Sequence, residues 1–155
     1  MNINPMTREY SRMISNWKYG GEYSFYDHSD QNIESFMDST HYTCTDEDGD
    51  LVGYFCFGED ARIPTVEQNA YDGGFLDIGL GLRPDLCGQG YGLSFLENGL
   101  DFAQRTFNTK QFRLSVAAFN ARAIKVYTRA GFVVEKEVTN SYFKNKFFIM
   151  KNFRK

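Results

Sequence analysis

The chain has 155 residues, of which 42% are hydrophobic and 17% aromatic, and its formal net charge is −3 at pH 7. This length predicts a single domain over residues 1–155 that can bury a core, and the acidic balance argues against a nucleic-acid partner. No apolar run reaches the ~18 residues that a membrane-spanning helix needs, so we expect no membrane partner.

The cysteine content favours a reducing environment. Cys44, Cys56 and Cys87 are odd in number and form no Cys-x-x-Cys pattern. We therefore expect neither a disulfide framework nor a metal site, and we expect a cytoplasmic location.

The N-terminal part of the chain predicts two helices. Residues 7–17 carry apolar side chains at helical spacing, and the two glycines at positions 20 and 21 should end that helix. An aromatic-rich connector follows over residues 19–27. Ser29 or Asp30 is expected to cap a second short helix, whose apolar side is formed by Ile33, Phe36 and Met37.

The next part of the chain predicts a β-hairpin and a long loop. Residues 41–45 and 51–57 have strand character and flank an Asp-Gly turn, which is typical of a hairpin. Residues 58–74 are polar and predict a loop of unusual length, and such loops often have a function.

The segment from residue 75 to residue 107 predicts a strand, a glycine-rich turn and a helix. Pro84 ends the strand after residue 82, because proline has no N–H to give to the ladder. Gly88, Gly90 and Gly92 permit backbone dihedrals and close approaches that a Cβ would block. Because the first N–H groups of a helix lack intrahelical acceptors at the positive end of its dipole, this turn predicts a phosphate or pyrophosphate site.

Two common phosphate motifs do not match this turn. A dinucleotide-binding fold requires Gly-x-Gly-x-x-Gly near the first strand, whereas these glycines have another spacing and lie past the middle of the chain. A P-loop requires Gly-Lys-Ser/Thr, and no such triplet follows. The third candidate ligand is acetyl-coenzyme A.

The last part of the chain predicts a strand over residues 112–118 and a helix over residues 120–130 that Gly131 closes. A final pair of strands is predicted over residues 132–138 and 142–150. Together with the earlier elements, this order predicts an α/β protein with a mixed sheet.

Two stretches carry a family resemblance. Cys87 to Gly92 resembles the phosphate-binding motif of the GNAT superfamily of N-acetyltransferases, Arg/Gln-x-x-Gly-x-Gly/Ala, except that Cys87 stands where Arg or Gln is usual. Residues 120–132 resemble that family's next motif, Asn-x-x-Ala-x-x-x-Tyr-x-x-x-Gly-Phe. The two motifs occur in the family's order, and the specific resemblance covers residues 73–138.

This resemblance implies a fold and an activity. The fold would be a central, mostly antiparallel sheet of about six to seven strands, splayed in the middle and flanked by about four helices. The activity would be direct transfer of an acetyl group from acetyl-coenzyme A to a primary amine of a small molecule or peptide, without a covalent enzyme intermediate. A coenzyme A-binding sensor without turnover is the alternative from another class.

The resemblance also implies how the cofactor is held. The strand edge at residues 80–82 would pair with the pantetheine amides, and backbone N–H groups of residues 88–92 would hold the pyrophosphate. The implied cofactor-binding residues are Leu80, Gly81, Leu82, Cys87, Gly88, Gln89, Gly90, Tyr91, Gly92, Leu93, Asn120, Ala123 and Tyr127. For Asn120, an N-cap is the simpler role.

Three catalytic groups are expected. Tyr127 would be the general acid for the coenzyme A thiolate, because a phenol with a pKa of ~10 stays protonated at pH 7; a packed helix tyrosine is the alternative. An N–H near Leu82 would stabilise the oxyanion, and such a donor typically contributes ~2.7–4 kcal/mol. Asp77 would be the general base if burial raises its pKa, although it is equally compatible with a structural role. Other candidates for the base are Asp72, Glu22, His28 or a water chain.

The acceptor pocket is expected to involve the connector, through Trp17, Glu22, Tyr23 and Tyr26. For Trp17, helix packing over the sheet is the alternative, and the charge of Glu22 suits a cationic amine. Cys87 lies near a helix N-terminus, where a lowered thiol pKa would make it redox-sensitive; a tolerated replacement is the alternative. The last strands would suit a homodimer.

Overall fold

The computed structural model describes residues 1–26 and 34–155. Its centre is a seven-stranded sheet with the spatial order β1-β2-β3-β4-β5-β7-β6. The strands are β1 (Asn2–Pro5), β2 (His41–Thr45), β3 (Leu51–Phe57), β4 (Leu76–Leu82), β5 (Gln111–Ala117), β6 (Val133–Thr139) and β7 (Lys146–Phe153). All neighbours pair antiparallel except β4 and β5, so the predicted mixed, mostly antiparallel sheet is confirmed.

Three α-helices occur in the described part of the chain: α1 (Arg8–Ser15), α2 (Gly92–Phe107) and α3 (Ala121–Arg129). This is fewer than the four that we predicted; the described part of the second predicted helix, Glu34–Met37, forms a 3-10 helix and not an α-helix. Its predicted caps, Ser29 and Asp30, lie outside the described residues.

Two boundaries near the N-terminus differ from the prediction. Helix α1 ends before the glycine pair, because Asn16 closes it by donating its N–H to Met13 and its side-chain amide to Arg12. Strand β1 was not predicted; it is short, contains a proline and forms the edge of the sheet, where a missing N–H is tolerated.

The C-terminal hairpin has a longer connection than the sequence predicted. Strand β7 begins at Lys146, and not at residue 142, because residues 140–145 form a turn. The Asn140 side chain organises this turn by accepting hydrogen bonds from the N–H groups of Tyr142 (2.9 Å) and Phe143 (3.0 Å).

The two faces of the sheet are covered by different elements. Helices α2 and α3 pack on one face, where Phe55 stacks on Phe95 of α2 with a centroid distance of 4.5 Å. On the other face, Tyr54 packs against Trp17 just after α1 and against Phe36. No described helix is long and apolar enough to cross a bilayer.

The sheet opens between β4 and β5. These parallel strands pair only where Leu76 meets Phe112 and Asp77 meets Arg113. Beyond these two pairs, β4 stays paired with β3 and β5 stays paired with β7, so the two strands leave each other. The predicted splay in the middle of the sheet is therefore present, and a gap begins just after Asp77.

A buried ion pair sits at the closed end of this gap. Arg113 Nε and Nη2 donate to the two carboxylate oxygens of Asp77, at 2.6 and 2.8 Å, and Arg62 Nε donates to the same carboxylate at 2.8 Å. Arg113 is 0% exposed and Asp77 only 1%. Removing one member of such a pair leaves an uncompensated buried charge and typically costs ~3–5 kcal/mol. The pair therefore fixes the point from which β4 and β5 diverge.

Candidate functional site

The gap leaves one edge of β4 without a strand partner. The Arg83 N–H and the Asp77 carbonyl both bond toward β3, at 2.8 and 2.9 Å, so odd-numbered residues of β4 face β3. Because backbone groups alternate in direction along a strand, Leu80 and Leu82 direct their N–H and C=O groups into the gap. An extended ligand with amides of its own can pair with this edge.

The glycine turn lies beyond the open edge and leads into α2. Gly88 and Gly90 have φ values of +73° and +87°, which residues with a Cβ rarely adopt. None of the N–H groups of residues 88–93 donates to an acceptor within the described residues. These donors, together with the start of α2 at Gly92, form a cradle for an anionic group.

Helix α3 packs beside this cradle. A Cβ on Gly92 would lie 3.2 Å from Val126 Cγ2, so the start of α2 touches α3 directly. Asn120 caps α3, with its side-chain oxygen accepting from the Ala123 N–H at 3.1 Å. The helix ends as predicted, since Gly131 follows it with a φ of +105°.

Two tyrosines contact β4 at the open end of the gap. The Tyr19 hydroxyl donates to the Leu82 carbonyl at 2.9 Å. The Tyr54 ring lies over Gly81, where a Cβ would come within 2.3 Å of the ring, so only glycine fits there. Burial raises the pKa of Tyr54 well above its ordinary value, and the nearby phenols of Tyr19 and Tyr127 add to this. Tyr19 and Tyr54 therefore both contact the end of β4.

A cleft of about 420 Å³ separates the connector after α1 from the glycine turn. Residues from the connector, the turn and α3 line it, including Lys18, Tyr19, Tyr23, Asp85, Cys87 and Arg122. It joins the cradle, because Arg122 Nη1 lies 3.6 Å from the place that a Cβ would take on Gly88.

The sequence matches the acetyltransferase (GNAT) family over residues 7–132. The chain belongs to the GNAT acetyltransferase family. The predicted family is confirmed, and with it the predicted N-acetyltransferase class. GNAT enzymes generally use acetyl-coenzyme A as the co-substrate. No curated protein sequence matches the chain.

Solved structures of acetyltransferases have the same fold. A chimera of the spermidine N-acetyltransferase SpeG from Vibrio cholerae and hSSAT has 18% identity and a TM-score of 0.72, over 99% of this chain and 96% of that one. A SpeG mutant from Vibrio cholerae has 19% identity and a TM-score of 0.71, over 99% and 95%. A GNAT-family acetyltransferase from Bacillus anthracis has 12% identity and a TM-score of 0.74, over 97% and 93%.

The structure brings most of the predicted GNAT site residues together around the gap and the cradle. The gap edge holds Leu80, Gly81 and Leu82, the cradle holds Cys87 to Leu93, and α3 adds Asn120, Ala123 and Tyr127. Asn120 acts as the predicted N-cap; its contact with the cofactor stays a prediction. Tyr127 is half-buried and packs edge-on against Phe132, at 6.3 Å between ring centroids.

Asp77 is not suited to the role of general base. Both of its carboxylate oxygens accept hydrogen bonds from Arg113, and one of the two oxygens accepts a further hydrogen bond from Arg62. The carboxylate is 1% exposed, so an amine cannot reach it. Its place on an apolar strand is explained by the ion pair, which is the structural role that the sequence left open.

The predicted acceptor residues have different surroundings. Trp17 is 9% exposed and belongs to the core below α1, so it packs and does not line a pocket. Tyr23 lies in the cleft against Phe119 and Arg122, next to the cradle. Glu22 is exposed on the connector. The side chain of Tyr26 lies outside the described part of the chain.

Two residues of this region were missed in the sequence. Tyr54 fits the alternating pattern of an ordinary strand, so the sequence does not mark it as a site residue. The only indication is its cross-strand partner, Gly81, whose missing side chain makes room for the Tyr54 ring. Arg122 stands inside the recognised α3 motif at a position that the motif leaves open. The available signal was the absence of Arg or Gln at position 87 of the phosphate motif together with a positive charge at position 122 of the second motif.

A polar cluster lies on the other side of the sheet from α2. Asp38, His41 and Asp60 bring two carboxylates and an imidazole within 4.8 Å of one another. His41 Nδ1 is hydrogen bonded to Asp38 at 2.7 Å, and the Thr40 hydroxyl contacts both carboxylates. Hydrogen bonds within the cluster account for its geometry, and we assign it no metal.

Cys87 does not have the lowered pKa that its place before a helix suggested. Its thiol contacts the carbonyls of Leu82 (3.8 Å) and Arg83 (3.7 Å). Burial raises the pKa of Cys87, and the Arg122 guanidinium offsets only part of this. Burial raises the pKa of the other two cysteines further, to about 11 for Cys44 and about 12 for Cys56.

We predict that Cys87 is a slow nucleophile at neutral pH. Because its pKa is raised, its thiolate fraction at pH 7 falls below that of a free cysteine, and its alkylation rate should still be rising with pH above ~8.5, where that of a free cysteine levels off. Iodoacetamide labelling followed by peptide mass spectrometry measures this, with N-acetylcysteine as the reference thiol. Labelling faster than the reference at pH 7 would contradict the prediction.

We also expect Cys87→Ala to keep turnover within about tenfold of the wild-type enzyme.

Proposed function

We propose that this chain transfers an acetyl group from acetyl-coenzyme A directly to a primary amine of a small molecule or peptide. The observation that carries the proposal is the combination of an open strand edge and a row of N–H groups without acceptors. The first matches the amides of a pantetheine arm, and the second matches a diphosphate. The strand edge is followed in the chain by the glycine turn, so one elongated ligand could contact both.

The residues present fit this co-substrate. Gly90 has no heavy atom within 4 Å of the place where a Cβ would be, so a phosphate can approach the backbone closely. Gly88, Gln89, Gly90, Tyr91, Gly92 and Leu93 offer N–H groups at the positive end of α2. Backbone groups of Leu80 and Leu82 would hold the pantetheine arm along the open edge of β4.

Two groups at the gap would assist acetyl transfer. The Leu82 N–H faces the gap on a rigid strand and would donate to the thioester oxygen as negative charge develops there. Tyr127, on α3, would give its phenol proton to the departing thiolate. A water chain would remove the proton of the attacking amine. Asp77 is not available for this step, because its carboxylate oxygens accept hydrogen bonds from Arg113 and Arg62.

The acceptor would enter from the side of the connector. Glu22 is exposed there and carries the charge that a cationic amine requires. The structurally similar SpeG proteins are named spermidine N-acetyltransferases, so a polyamine belongs among the acceptors to be tested. Amino acids, aminoglycosides and peptide N-termini complete the set of primary amines.

We further propose that residues 1–155 act as one catalytic domain in a reducing, cytoplasmic setting. Strands from both ends of the chain share one sheet, and all three cysteines are free thiols. A homodimer would use the edge strand β6, where Val133 is 69% and Val134 46% exposed.

The acceptor assay tests the proposal. Acetyl-coenzyme A binding is measured by calorimetry, and release of free coenzyme A thiol is then followed with each amine of the panel. We expect heat of binding and amine-dependent thiol release with at least one amine. Binding without release for every amine would favour the sensor alternative, and absence of binding at millimolar concentration would contradict the proposal.

We predict that Tyr127→Phe lowers kcat by about 10²-fold or more, because a general acid typically contributes 10²–10⁴-fold. The fall of rate at alkaline pH that a tyrosine acid produces should also disappear. Tyr142→Phe is the matched control, since Tyr142 is 76% exposed on the β6–β7 turn. If Tyr127→Phe changes neither the rate nor the pH profile of an active preparation, Tyr127 is not the acid.

A further inference from the structure

The phosphate motif of this chain lacks its usual polar side chain. Cys87 occupies the position where Arg or Gln is usual, and its thiol is too short and too weak a donor to replace either residue. Its S–H is directed at the carbonyls of Leu82 and Arg83, at and just after the end of β4. The cradle therefore has its backbone donors but no side-chain cation from the motif itself.

Arg122 brings a guanidinium to the same place from another element. It is the second residue of α3, and its Nη1 lies 3.6 Å from the Cβ position of Gly88, with its Cδ at 4.0 Å. It lines the cleft together with Cys87. The cation is thus next to the first glycine of the turn, although it is remote from the turn in sequence.

Within residues 1–26 and 34–155, no acidic side chain neutralises the charge of Arg122. No carboxylate of the described residues forms an ion pair with it. Asp85, which also lines the cleft, accepts two hydrogen bonds from Arg83, at 2.6 and 3.1 Å. A guanidinium in this position has donors available for an anion, and its planar fork matches phosphate oxygens.

Tyr23 holds this guanidinium in place. The Arg122 guanidinium carbon lies 4.4 Å from the centre of the Tyr23 ring, and that ring packs in turn on Phe119 at 5.8 Å. Stacking on an aromatic face restricts the long side chain but leaves its N–H donors free at the edge of the plane. The connector therefore orients Arg122 toward the turn.

We propose that Arg122 supplies the cationic contact to the coenzyme A diphosphate that Cys87 cannot make, and that Tyr23 is its positioning residue. This inference rests on the proposed function, because it assumes that coenzyme A binds at the cradle. Arg122 is expected to contact the diphosphate, and not the 3′-phosphate, because its guanidinium lies beside Gly88 of the turn.

The test measures the Kd of coenzyme A by calorimetry for the wild-type chain, Arg122→Ala and Arg122→Lys. Loss of a charge-assisted hydrogen bond should weaken binding by about 10- to 100-fold in Arg122→Ala. Arg122→Lys keeps the charge but not the fork, so we expect a smaller loss. Arg129→Ala is the matched control, because it removes the same charge from the exposed end of α3 and should change Kd by less than about threefold. Thermal unfolding confirms that each variant is folded.

Two further measurements locate the contact. Dephospho-coenzyme A lacks only the 3′-phosphate, so Arg122→Ala should lose affinity for it by the same factor. Cys87→Arg, introduced into Arg122→Ala, should recover most of the lost affinity, because it restores the family's cation at the turn. Tyr23→Leu should weaken binding by about two- to fivefold through the lost stacking.

Several results would overturn the inference. A Kd of Arg122→Ala within threefold of wild type, or equal to that of Arg129→Ala, would remove Arg122 from the site. If Arg122→Ala weakens binding of coenzyme A but not of dephospho-coenzyme A, Arg122 contacts the 3′-phosphate and not the diphosphate. If Cys87→Arg does not recover affinity in Arg122→Ala, a cation at position 87 cannot replace the one at position 122. If the wild-type chain binds no coenzyme A, it is the proposed function that fails, and the two failures are thereby distinguished.

Discussion

The separation of β4 and β5 is the constraint on which the rest of the site depends. The two strands are joined at only two residue pairs, and the buried ion pair of Asp77 and Arg113 lies at the second of these. Beyond it, each strand is held by its outer neighbour, so the edge of β4 is left open inside the sheet. A strand edge without a strand partner can pair with another extended chain, and here it faces the gap between β4 and β5, where the Tyr19 hydroxyl donates to the Leu82 carbonyl.

The glycine turn extends this open edge into a site for an anion. The same strand that exposes Leu80 and Leu82 continues into the turn, so the two donor sets cannot move independently. Left-handed φ values at Gly88 and Gly90 let consecutive N–H groups point outward, and contact between Gly92 and Val126 fixes the start of α2 against α3. The backbone, and not the side chains, therefore provides most of the site. In the proposed binding mode, backbone donors would provide most of the contacts to the diphosphate, and Arg122 would provide the cation that Cys87 does not.

The parts of the site that the sequence predicts are those encoded locally. The hairpin turn, the glycine turn, the N-cap at Asn120 and the glycine that ends α3 each follow from a few neighbouring residues. Contacts between distant residues were not predictable. The Asp77 carboxylate is explained by Arg113, 36 residues later, and the pairing cannot be inferred from either residue alone. Tyr54 over Gly81, Tyr19 on Leu82 and Arg122 beside Gly88 are further contacts of this kind. Of the two interpretations of Cys87, a lowered thiol pKa is contradicted, because burial raises the pKa, and a replacement of Arg or Gln without that reactivity is left.

Amide hydrogen exchange of residues 88–93, followed by NMR, tests the central claim most directly. Without ligand, these N–H groups have no acceptor in the described residues and should exchange nearly as fast as in an unfolded chain. At saturating coenzyme A, verified by calorimetry, those that bind the diphosphate should exchange at least about tenfold more slowly. Exchange that stays unchanged in residues 88–93 under these conditions would contradict the account, because the cofactor would then be held without the cradle.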